Sequence, residues 1–145
     1  MTPGISPQDE TILKPHIGPH ERRLWWGHDQ SRPPERADLY IVTNEKITVL
    51  RRFPVQTVSA FGPHALMPLS GLRVLRDGTF GRIELEQKRA FLKWNYPYNQ
   101  RPALSGLENA PEVARLISKT YNIRIRRSDF PLTANLPTLP SEAAQ

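Results

Sequence analysis

The sequence predicts a mainly β fold: an antiparallel barrel or sandwich closed by one C-terminal amphipathic α-helix. Three observations predict it. Strand-forming residues recur in short alternating runs, of which residues 38–52, "DLYIVTNEKITVLRR", are the densest. The 15 prolines cluster so as to leave three long proline-free windows, 35–53, 69–96 and 112–130. Proline lacks a backbone donor and is kept out of central strands and helix interiors, so those windows hold most of the regular structure. Only the third shows helical periodicity.

The elements follow in order. "ERRLWWG" gives a first strand, on which the adjacent Trp25 and Trp26 face opposite ways. In the first window Leu39, Ile41 and Thr43 alternate with Tyr40 and Val42. "NE" then carries a turn, and Ile47 and Val49 continue on one face, Thr48 and Leu50 on the other: a hairpin. "VQTVSAF" after Pro54 gives another strand. In the second window Asp77-Gly78 separates two alternating runs and suits a type I′ turn. A further turn at Gln87 and Lys88 leads to Leu92 and Trp94, making a three-stranded meander. The barrel is thus expected over about 24–94.

A helix is expected over 110–121, with Val113, Leu116, Ile117 and Tyr121 on one face plugging the barrel end. Asn109 and Glu112 have the spacing of a capping box, Pro111 sits in the first turn and Asn122 ends the helix. Beyond it "IRIRRSDF" alternates like a strand, which either returns along the barrel edge or pairs with another subunit. Residues 1–18 and 131–145 are proline-rich without apolar periodicity and read as extended peptide. The organisation expected is an extended arm over 1–18, the barrel domain over 19–122, and a basic strand-like segment with a proline-rich tail over 123–145.

Three phrases carry a resemblance. "GPHERRLWWG" resembles the opening segment of the bacterial pleckstrin-homology-like (PH-like) domain family. "LYIVTNEKITVL" is similar to that family's Tyr-x-hydrophobic-Thr-Asn strand pair, and "SGLENAPEVARLI" resembles its closing segment and capping helix. Together they span 19–119. There are departures: "HDQSRPPERA" stands where many such proteins carry two membrane helices, Lys46 stands where Arg is usual, and a polar hairpin replaces a glycine-rich phrase. The resemblance implies a PH-like barrel acting as a non-enzymatic binding or adaptor module, and no particular ligand.

Composition narrows the function classes. There is no cysteine, which excludes disulfides, thiolate metal sites and a Cys nucleophile. His16, His20, His28 and His64 form no metal-ligand spacing that the prolines permit, and no phosphate loop or nucleophile elbow occurs, so neither enzyme activity nor a cofactor is expected. No run approaches the ~18 apolar residues of a membrane span, and the expected location is cytoplasmic, free or peripheral to a membrane or assembly. The net charge of +6 favours anionic partners. The candidate partner surface comprises Lys46, Arg51, Arg52, Lys88, Arg89, Lys93, Arg124, Arg126 and Arg127, with Trp25, Tyr96 and Tyr98 as candidate exposed aromatics. A protein partner in a larger assembly is the leading expectation. A basic nucleic-acid-binding protein is the alternative, and an anionic lipid a further ligand.

Overall fold

The computed structural model describes residues 4–65, 68–88 and 102–131. Their elements run α1 (Pro7–Leu13), β1 (Arg23–His28), β2 (Leu39–Thr43), β3 (Ile47–Arg51), β4 (Thr57–Phe61), β5 (Leu69–Asp77), β6 (Phe80–Gln87), β7 (Ala103–Leu107), α2 (Ala110–Tyr121) and β8 (Arg124–Ser128). The described residues are mainly β, with two helices. The strands form two four-stranded sheets, ordered β1-β2-β3-β4 and β7-β6-β5-β8.

The expected hairpins form. β2 and β3 pair antiparallel from Leu39↔Leu50 to Val42↔Ile47, and β5 and β6 meet at Asp77↔Phe80. Gly78 takes a positive φ of 63° in that second turn, a conformation glycine adopts without a Cβ penalty. The helix expected over 110–121 is there, ending at Asn122 in the left-handed region. Its Val113, Leu116 and Ile117 are buried in the main core with residues of both sheets. The capping box does not form, because Asn109 sits at φ −116°, ψ 40° and its side chain makes no capping bond.

Of the barrel or sandwich expected, the described strands form two sheets that do not close into a barrel. Where β1 and β7 approach, the link is one backbone bond from Gln30 N–H to the Gly106 carbonyl (2.9 Å), with the Tyr40 hydroxyl bridging to Ser105. Gly106 has a φ of 67°, which bends β7 out of a regular ladder. Nor is the pairing wholly antiparallel: after α2 crosses the core, β8 runs parallel to β5, with Leu72↔Ile125 and Val74↔Ser128 in register. The third meander strand, with Leu92 and Trp94, lies outside the described residues. Among those described, β6 has β7 as its second neighbour.

The extended arm is the second correction. Pro7–Leu13 is helical, with the Ser6 hydroxyl accepting from Asp9 N–H (3.2 Å), proline in the first turn, and Asp9 and Glu10 beside the positive helix end. Leu13 is fully buried on Leu39, Ile41 and Leu50, with Trp26 and Val58 packed around them. This second core explains why every residue of β2 is buried. Alternation places Tyr40 and Val42 against the opposite sheet and Leu39 and Ile41 against α1, so the sheet of β1–β4 is covered on both faces.

Candidate functional site

The basic residues marked out by the sequence that are described do not gather into one site. Lys46 precedes β3 and Arg51 ends it, so they lie at opposite ends of that strand. Lys46 Nζ is bound to Glu21, which also accepts from the Thr43 hydroxyl (2.7 Å) and from Gly18 N–H (2.9 Å). Burial raises the Glu21 pKa, but the bonds from Lys46, Gly18 and Thr43 together bring it below its ordinary value. Arg52 grips Asp9 with both terminal nitrogens, at 2.8 and 2.7 Å, and donates from Nε to the Ala37 carbonyl at 2.8 Å. It fastens α1 to the sheet. Arg51 lies 4.0 Å from Asp38, whose carboxyl burial pushes up despite the nearby guanidinium.

On the other sheet, Arg124 and Arg126 stand beside the start of β5, at the same end as Lys88. Arg126 is 3.7 Å from Glu86 and Arg127 is 3.6 Å from Asp129. Arg124 and Lys88 are exposed. Arg89, Lys93, Tyr96 and Tyr98 lie outside the described residues. Trp25 is not an exposed aromatic: it is buried in the main core, because its register opposite Val42 turns it inward. Trp26 takes the other face and packs toward α1. Five of the marked bases, Lys46, Arg51, Arg52, Arg126 and Arg127, thus lie within 4.0 Å of a carboxylate that offsets part of their field, and among the described residues these bases form no concentrated phosphate-binding surface.

Two other features stand out. A recess of about 420 Å3 lies between α1 and β1, lined by Glu10, Lys14, Ile17, Glu21 and Arg23 among others. Its charged wall is largely self-satisfied, since Arg23 binds both oxygens of Glu10 at 2.6 and 3.0 Å.

The second feature is β4. It pairs with β3 on one side, Val49↔Ser59 at the centre, and has no second neighbour among the described residues. Thr57, Ser59 and Ala60 are exposed, and Val58 and Phe61 half-buried. Just before it, Phe53 (49% exposed) and Val55 (66%) are the most exposed large apolar side chains described. The Arg36 guanidinium lies 4.8 Å above the Phe53 ring.

Edge strands usually carry charges, prolines or bulges that discourage further pairing. β8 has Arg124, Arg126 and Arg127. β1 has Arg23 and a register shift next to it. β7 is bent at Gly106, whose carbonyl is already taken by Gln30. β4 has no charge, no proline and an unbroken register with β3. Sequence reasoning missed this edge, although a signal was present: residues 53–72 contain no Asp, Glu, Lys or Arg in a chain otherwise dense in charge.

Among the described residues no group of three or more His, Asp or Glu could hold a metal ion, and no helix is long and apolar enough to cross a membrane. Comparison with family models, with curated proteins and with solved structures finds no match.

Proposed function

We propose that this protein is a non-enzymatic binding module of PH-like type whose working surface is the β4 edge, where an extended protein segment adds as a strand. The observation that carries this reading is the charge-free β4, which has no second neighbour among the described residues, with Phe53 and Val55 exposed just before it. An unpaired edge supplies a row of main-chain donors and acceptors for affinity, and neighbouring apolar side chains supply selectivity. The resemblance of the Trp25, Tyr40–Asn44 and Val113–Ile117 phrases to bacterial PH-like domains supports an adaptor over an enzyme. A protein segment is favoured over nucleic acid or an anionic headgroup because Lys46, Arg52, Arg126 and Arg127 already face carboxylates. A cytoplasmic setting within a larger assembly accords with this role.

The test is site-directed photocrosslinking in cells that produce the full chain. A photoreactive residue in place of Val55 should yield polypeptide adducts, lost when Ser59→Lys places a charge on the edge. The same residue in place of exposed Thr79 should give none. Adducts equal at both positions, or unaffected by Ser59→Lys, overturn the reading.

A further inference from the structure

We infer that the strand β4 receives is the β4 of a second copy of this chain, paired antiparallel about a two-fold axis at Ser59, so that two four-stranded sheets fuse into one. This inference rests on the reading of β4 as a strand-accepting edge and names its partner.

Self-complementarity carries the argument. In an antiparallel pair centred on Ser59, Thr57 stands opposite Phe61 of the second copy, Val58 opposite Ala60, and Ser59 opposite itself. Every facing pair is then neutral, so like charges never meet, although each chain carries +6 overall. The other edges offer less. Two β8 strands centred on Arg126 would set that residue against its own copy, β1 has a register shift beside Arg23, and β7, though uncharged, is bent at Gly106, whose carbonyl Gln30 already occupies. Neutrality together with an unbroken register therefore selects β4.

The pairing is confined to residues 57–61, because residues 53–55 and 63–65 on either side leave the extended conformation in bends and a turn. The faces also match. A two-fold axis perpendicular to the sheet keeps corresponding faces on the same side, so Phe61, which packs on the main core, adjoins the second copy's main-core face. Val58, which packs with the α1 cluster, adjoins the second copy's α1 face. Both apolar layers continue across the joint. A C2 contact of this kind is closed and adds one partner only.

The absence of cysteine makes the test clean. Antiparallel partners have Cα atoms about 4.5–5.5 Å apart, within disulfide reach. Under mild oxidation, Ser59→Cys should form a crosslinked dimer rapidly, whereas Thr57→Cys, facing Phe61, should lag well behind. Sedimentation of the unmodified protein should give a concentration-dependent mass rising toward twice 16.6 kDa. Ser59→Lys should weaken that association at least several-fold, with its circular dichroism unchanged. Equal crosslinking of the two cysteine variants, or a wild-type chain monomeric at every concentration, overturns the inference. If the chain is monomeric yet Val55 still crosslinks a different polypeptide, the second copy falls as partner while the strand-accepting edge stands. If Val55 crosslinks nothing, both fall.

Discussion

Arg52 shows how a residue suited to one role can be committed to another. Its position after β3 and its positive charge mark it as a ligand-binding base, yet it clamps Asp9 through two bonds and so holds α1 in place. Those bonds, the largest influence on the carboxyl, keep the Asp9 pKa below its ordinary value despite burial. The sign of the pH dependence follows. The unfolded carboxyl takes up its proton near pH 3.9 and the folded one only at lower pH, so the stabilisation is complete above about pH 4. It is lost as the pH falls through the folded value. Asp9→Asn should cost about 1.5–3 kcal/mol at neutral pH, the range for hydrogen bonds to charged groups. Denaturant titrations at stepped pH should show the gap between wild type and Asp9→Asn closing below about pH 4. A gap that is constant down to pH 2 would contradict the assignment.

At the scale of elements, α2 was the most legible and α1 the least, and the reason is physical. In α2 a full apolar face repeats at 3.6-residue spacing, with Pro111 and Asn122 as start and stop. Leu116→Ala should accordingly cost about 2–5 kcal/mol in denaturant unfolding, as for other large-to-small core changes. A loss below about half a kcal/mol would show a helix peripheral to the core. The seven residues of α1 span barely two turns, too short for a period to register, and the prolines at 3, 7 and 15 argue for an extended arm. The readable signal was local: Ser6-Pro7 followed by Asp9 and Glu10 is an N-terminal capping pattern. β7 escaped notice for a similar reason, because Pro102 and Gly106 interrupt its alternation. The open β4 edge was legible as a strand but not as an edge, since sheet order depends on pairings far apart in sequence. Charge-free composition over 53–72 was the one trace of it in the sequence itself.

For the whole molecule, two buried phenols tie the layers together. The Tyr40 hydroxyl donates to the Ser105 carbonyl (3.0 Å) and accepts from Ser105 N–H (2.9 Å), joining the two sheets. The Tyr121 hydroxyl donates to the Thr43 carbonyl (2.7 Å), joining α2 to β2. Burial raises both pKa values above the ordinary tyrosine range. Unfolded tyrosine ionises near pH 10, so the stabilisation from both phenols is full below that pH and shrinks as the pH climbs toward their folded values. Ultraviolet and circular dichroism titrations should show tyrosinate from Tyr40 and Tyr121 appearing together with loss of the fold, above about pH 10. Their ionisation in an intact fold near pH 10 would contradict the burial argument. The layering also imposes an order on synthesis. Residues 7–13 leave the ribosome before Leu39, Ile41, Leu50 and Arg52, the side chains that bury Leu13 and bind Asp9. A helix of that length has little stability alone. On the nascent chain α1 therefore waits, unfolded and greasy at Leu13, until β3 has emerged to receive it.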